Sequence, residues 1–227
     1  MFRYGGDLLC DGSCCATDGK GPPVADPLVT GPPAPETLTP SQRARRDRIV
    51  AVALRLLEEG EYGKVQVRDI AVESEVALGT VYRYFISKEL LFAAVLVVWS
   101  ESLNSKVQRR PLAGSPAEQL DDLMGRVLTA FERYPQVMRM MMVIESTTDP
   151  HARKVFDTFA ADAGATFLEP LRDFDPDVAL DIVRVVESTL DNVLRAWSRG
   201  RITMRTARRN VTRCIQLIFS EPPTPSA

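Results

Sequence analysis

The sequence predicts an all-α protein, with a three-helix N-terminal helix-turn-helix domain followed by a larger helical domain. Three observations carry this prediction. Helix starts are marked by capping residues placed directly before a proline. Between these starts, apolar residues recur at three- and four-residue spacing. No useful stretch alternates apolar and polar residues, and no internal repeat occurs.

Thr39-Pro-Ser-Gln42 sets a capping threonine, a proline at the first helical position and a glutamine at the third. Ile49, Ala53, Leu56 and Leu57 then follow at helical spacing until Gly60 stops the helix. Val67 to Glu73 forms two turns, with Val67, Ile70 and Ala71 inward, and Ser74-Glu75-Val76 makes a turn. Ala77 to Tyr84 is a second short helix, with Val81 and Phe85 looking inward. Small residues at Ala71 and Gly79 are expected to let these two helices cross closely. Ser87 caps a long helix from about Lys88 to Lys106. Ser115-Pro-Ala-Glu118 repeats the capping box ahead of Leu120, Leu123, Val127, Leu128 and Phe131. Asp149-Pro150 and Asp175-Pro176 open two more helices. The second of these carries Val178, Ile182, Val185, Val186, Val193, Leu194 and Trp197 in a stripe that Gly200 ends. A final helix runs from about Thr203 to Ser220, with Ala207, Val211, Cys214, Ile215 and Ile218 on one face.

Composition bounds the function. The chain has 227 residues, 45% hydrophobic and 26% charged, with a net charge of −2. That length buries a sizeable core, but it carries no global basic excess, so any nucleic-acid partner must be met by a local patch. Residues 1–38 are rich in glycine and proline and lack periodicity across Gly21 to Pro35, so a disordered tail is expected there and over 221–227. The longest apolar run, Leu90 to Trp99, is too short to span a bilayer, and no secretory start is evident. The expected location is cytoplasmic and nucleoid-associated, with no membrane partner. Cys10, Cys14, Cys15 and Cys214 lack zinc-site spacing, and His151, the one histidine, is remote from the first three. Neither a metal nor a cofactor is expected. No Ser/His/Asp grouping or glycine-rich phosphate loop is present, which argues against an enzyme.

The second short helix carries the chemistry of a DNA reader. Its outward face is expected to hold Thr80, Tyr82, Arg83 and Tyr84. A helix fits the major groove, where arginine bonds guanine in bidentate fashion and threonine or tyrosine meets a thymine methyl or a phosphate. Gly79 lets the backbone approach the bases. Lys88, at the start of the next helix, is positioned to hold a phosphate together with free backbone N–H groups. Arg43, Arg45, Arg46 and Arg48 form a positive cluster suited to phosphates or an adjacent minor groove.

Residues 43 to about 100, and above all Gly79-Thr-Val-Tyr-Arg-Tyr-Phe85 followed by Ser87-Lys88, resemble the DNA-binding domain of the TetR family of bacterial regulators. The resemblance implies that Arg68, Thr80, Tyr82, Arg83, Tyr84 and Lys88 contact DNA. Two positions depart from the family pattern. Ala77 stands where a serine or threonine usually caps the reading helix, a loss of about 1 kcal/mol, and Ile86 replaces a common proline.

The resemblance also implies a larger domain, over 88–220, that binds an effector and dimerises. The last two helices carry wide apolar stripes, and Val186, Leu190, Val193, Trp197, Val211, Ile215 and Ile218 are the candidate homodimer residues. A two-fold dimer would present its reading helices to a palindromic double-stranded operator about 34–36 Å apart. Val98, Trp99, Leu128, Phe131, Met138, Met141, Met142, Phe156 and Phe159 are the candidates for a pocket holding a small apolar effector. A closer likeness to family members that regulate sterol catabolism rests on Val76-Ala-Leu-Gly-Thr-Val-Tyr-Arg-Tyr-Phe85 and on Ile182-Val-Arg-Val to Ala196-Trp197. It implies a sterol catabolite or its CoA thioester, released repression being the expected response. A fatty acyl-CoA or drug-like effector, or activation, are the alternatives.

Overall fold

The computed structural model describes residues 32–108 and 111–220, which form nine α-helices and no strand. They are α1 (Pro40–Glu59), α2 (Val67–Glu73), α3 (Leu78–Tyr84), α4 (Lys88–Gln108), α5 (Pro116–Arg133), α6 (Pro135–Glu145), α7 (Pro150–Leu168), α8 (Pro176–Ser198) and α9 (Met204–Phe219). The all-α prediction is met. Cys10, Cys14 and Cys15, residues 1–31 of the expected N-terminal tail and the tail over 221–227 lie outside the described residues. Leu38, placed in the tail by composition, is instead buried in the core just before α1.

The starts that the sequence marked are built as capping geometry. Thr39 Oγ1 accepts from the Gln42 N–H at 3.3 Å, and the Gln42 side chain accepts from the Thr39 N–H at 2.9 Å. Ser115 and Glu118 form the same reciprocal pair. Asp149 Oδ1 accepts from the His151 and Ala152 N–H groups, and Asp175 Oδ1 from those of Asp177 and Val178. In each case the proline sits where a backbone N–H would have no intrahelical partner. Stops are less uniform. Gly200 takes the left-handed φ of 70° that ends α8, whereas Gly60 is extended. Between α5 and α6 the break falls at Tyr134, because the following Pro135 disfavours helical backbone there.

The helices pack around α4. Leu90 to Leu96, about two turns, are buried without interruption, because α4 packs against α1, α6 and α7. A helix apolar all round must be enclosed by protein. This explains the Leu90–Trp99 run that sequence alone could only call too short for a bilayer, and no helix of the described residues is long and apolar enough to cross one.

The expected dimer stripe is corrected. Val186, Leu190, Val193, Val211 and Ile215 are buried within the protomer, where α8 packs on α9 and α9 on α5. Periodicity marks these stripes as buried without naming the neighbour, and the protomer itself consumes most of their width. Trp197 and Ile218 are half-buried, and the large apolar side chains left outward are Val178, Leu180, Val185 and Leu217. Cys214 is a half-buried free thiol whose Sγ lies 3.3 Å from Thr189 Oγ1.

A hydrogen bond links the start of α4 to the start of α7. The Ser87 hydroxyl, at the start of α4, donates to Asp149 Oδ2, the residue that caps α7. Burial by itself would raise the Asp149 carboxyl, but the Ser87 hydroxyl and the Ala152 and His151 N–H groups donate to it and hold it below its usual range. A depressed folded-state value stabilises the fold above the unfolded value, about 3.9, and is lost as pH falls through the folded one. Asp149→Asn keeps a good cap but cannot titrate. Melting temperatures of the two proteins are therefore expected to differ at pH 7 and to converge below about pH 4; a gap independent of pH would contradict the assignment.

Candidate DNA-reading surface and effector cavity

The helix-turn-helix is set by a tight turn between α2 and α3. Ser74 is fully buried and its hydroxyl donates to the Ile70 carbonyl at 2.6 Å. Glu75 takes a left-handed φ of 55°, and the Val76 N–H returns to the Ala71 carbonyl at 3.0 Å. The start of α3 has no side-chain cap at Ala77, as the sequence indicated.

On α3, Leu78, Gly79, Tyr82 and Arg83 face outward and Thr80 is half-buried. Tyr84, expected on this face, is only 3% exposed. Helical geometry accounts for it, since two residues advance about 200° around the axis and put Tyr82 and Tyr84 on opposite sides. Tyr84 follows Val81 by three positions and joins it inside. Its ring carries the Arg83 guanidinium 5.5 Å from its centroid, which steers Arg83 while leaving it exposed.

The expectation that Gly79 admits a close helix crossing is not met, since a Cβ added there would meet nothing within 4 Å. The protein's own packing does not require glycine at this position. On α2, Arg68 is exposed beside Asp69 at 3.5 Å, an exposed pair of small energetic weight. Val72 is 77% exposed and Ile86 also stands outward. The α2–α3 surface thus presents apolar side chains, glycine and two arginines together.

The basic cluster divides. Arg43 and Arg48 are exposed and Arg45 half-buried. Arg46 lies over the Phe85 ring at 5.1 Å, near Asp47, and burial pushes its guanidinium below the usual value. Lys88 is corrected as a phosphate ligand. Its ammonium turns inward, donating to the carbonyls of Val65 at 2.7 Å and Tyr62 at 3.2 Å, with the Tyr62 ring 4.7 Å away. A half-buried ammonium needs such acceptors. Phe92, one turn along α4, was the sequence signal for this cation–aromatic packing.

An apolar cavity of about 350 Å³ opens between α4, α5, α7 and α8. Of the nine candidates, Trp99, Phe131, Met141, Phe156 and Phe159 line it. Leu128 and Met138 are fully buried in the core, Met142 packs against that core, and Val98 faces outward from α4. The methionine run of α6 spreads around its helix, so only Met141 reaches the wall. Sequence reasoning missed Leu123, Val127, Leu190 and Leu194, which read as ordinary stripe residues. The ionisable lining residues are Glu101, Asp162, Glu187 and Asp191, with no lysine or arginine. A larger open groove of about 780 Å³ lies on the other side of Trp99, lined by α1, α5 and Arg208. Several of its charged groups are already held: Arg126 pairs with Asp122, Asp121 accepts from the Thr212 hydroxyl at 2.7 Å, and Arg208 donates to the Gly125 carbonyl at 3.1 Å.

Comparison with known proteins agrees with this geometry. Residues 49–95 match the model of bacterial regulatory proteins of the tetR family, and residues 114–218 the tetracyclin repressor-like C-terminal domain. The chain is 28% identical over 187 residues to the HTH-type transcriptional repressor KstR of Mycolicibacterium smegmatis, covering 82% of this chain and 92% of that protein. It is 26% identical over 183 residues to KstR of Mycobacterium tuberculosis, covering 80% and 83%. A crystal structure of a TetR transcriptional regulator from Rhodococcus sp. RHA1 superimposes with a TM-score of 0.65 at 25% identity, covering 79% of this chain and 97% of that one. These relatives are transcriptional regulators and not enzymes. With both its reading domain and its helical C-terminal domain matched, the chain belongs to the TetR family of bacterial transcriptional regulators.

Proposed function

We propose that this regulator is a homodimeric repressor that binds a palindromic operator and is released by a bulky apolar effector held between α4, α5, α7 and α8. The observation that carries the reading is the continuity of α4. It begins directly behind the reading helix at Lys88, and about two and a half to four turns later lines the cavity with Val97, Trp99 and Leu103. A ligand that favours a displaced α4 shifts the DNA-binding geometry by no more than its differential affinity for the two arrangements.

In this reading Arg83 and Thr80 read base edges, Tyr82 and Arg68 anchor phosphates, and Arg43 and Arg45 extend the contact along the backbone. Gly79 admits the DNA. Arg46, Tyr84 and Lys88 act from behind by holding the surface in shape. The two-fold contact is made by the outward sides of α8 and α9, around Val185, Leu217, Trp197 and Ile218. The likeness to repressors named KstR supports repression, and the sequence likeness to regulators of sterol catabolism supports a sterol catabolite or its CoA thioester as effector. The cell compartment is the cytoplasm.

Mobility shifts on the DNA upstream of the protein's own gene test the contacts. Arg83→Ala and Tyr82→Ala are each expected to weaken binding by about 1–3 kcal/mol, roughly 5- to 150-fold. Wild-type affinity should fall steeply with salt, with a log–log slope of about −0.9 per phosphate neutralised. Undiminished binding by both variants would refute the assigned surface.

A further inference from the structure

The cavity wall carries a carboxyl without a partner. Asp191 is held by Arg195, whose Nε donates to its two oxygens at 2.8 and 2.7 Å. Glu101 and Asp162 are exposed to solvent. Glu187, on the inward side of α8, differs from all three. It is half-buried and makes no hydrogen bond or ion pair with any described residue. Its place is nevertheless built. Gly164 of α7 leaves the carboxyl room, since a Cβ there would stand 3.1 Å from Glu187 Oε1.

We infer that Glu187 recognises the polar head of the effector, and that this head is a hydrogen-bond donor, a hydroxyl or an ammonium, on an otherwise apolar body. The inference rests on reading this cavity as the effector site. Withdrawing a carboxyl from water without a donor is costly, and burial pushes the Glu187 carboxyl up, as that cost requires. A bound donor removes the cost and gains a hydrogen bond to a charged acceptor. A carboxylate head meets the reverse situation. It would enter a wall with four acidic and no basic side chains, next to one whose charge is already disfavoured. Aromatic and aliphatic walls from Phe156, Phe159 and Leu194 accept the apolar body of either kind of ligand, so the head group decides.

Three molecules with one hydrocarbon chain separate these cases: dodecylamine, dodecanol and dodecanoate, each below its micellar concentration. Trp99 lines the cavity and reports binding by fluorescence, the part of the change that Trp99→Phe abolishes being its own signal. The full-length protein is expected to bind the amine and the alcohol, and dodecanoate at least about tenfold more weakly, the worth of one hydrogen bond to a charged group. Glu187→Gln is expected to weaken the amine by about tenfold, leave the alcohol nearly unchanged and narrow its lead over dodecanoate. Gly164→Ala, which crowds the carboxyl without altering charge, should also weaken the amine. Unchanged far-ultraviolet dichroism and melting temperature in Glu187→Gln exclude misfolding. Equal binding of dodecanoate and dodecylamine by the wild type, or an unchanged ratio in Glu187→Gln, overturns the inference while leaving the cavity as the effector site. Failure of all three to quench Trp99 overturns the cavity reading as well.

Discussion

Phe92→Ala is expected to lower stability by about 3–5 kcal/mol. Phe92 is fully buried in α4, which packs against α1, α6 and α7. Its ring meets Tyr62 edge-on at 5.0 Å and lies 5.7 Å from the Lys88 ammonium. Truncation leaves a cavity and removes an aromatic pair worth about 0.5–1.5 kcal/mol beyond its area. It also takes one of two rings from a half-buried cation. For a chain of this size, melting should fall by roughly 10 °C. Phe92→Leu keeps most of the volume and should cost about half as much or less. Denaturant titration with an unchanged slope would assign the loss to the folded state. A shift under about 1 kcal/mol for Phe92→Ala would show that α4 is not enclosed as described.

Gly79→Leu is expected to separate folding from DNA binding. Nothing in the protein lies within 4 Å of the added Cβ, and glycine is a poor helix residue. Stability should hold or rise, by up to about 1 kcal/mol. Operator affinity should fall by roughly tenfold or more, about 1.4 kcal/mol, as the side chain pushes the backbone off the bases. Gly79→Ala should give the same signs with smaller size. Thermal melts and mobility shifts on one preparation measure both quantities. A variant that binds as well as wild type would show that the open space at Gly79 is not filled by DNA.

Four helix starts were legible because each is written within four residues. Thr39 to Gln42, Ser115 to Glu118, Asp149 and Asp175 needed no tertiary information, and the structure places all four as caps. The reading helix was legible through its motif, yet the direction of Tyr84 was not taken from its 200° offset from Tyr82. Lys88 escaped for another reason. Its acceptors are loop carbonyls at Tyr62 and Val65, some 23 residues or more away in sequence, and no local pattern announces a backbone acceptor. The cavity was half legible. Composition indicated excess aromatic and methionine volume, but the choice between Met141 and Met138 depends on how α6 is rotated. The stripes of α8 and α9 misled because periodicity gives the buried face without saying which neighbour buries it.

The inward turn of Lys88 has a mechanical consequence. The loop it grips, between α1 and α2, is also bonded from the other side, where the Gln136 side chain of α6 accepts from the Tyr62 N–H at 3.2 Å. With α1 packed along α4 and the loop pinned at two points, the reading helix has no joint of its own about which to bend. The first four helices then travel as one lever arm. In a two-fold assembly, the coordinate left for an effector to alter is the gauge between two rigid heads, set against the pitch of the double helix.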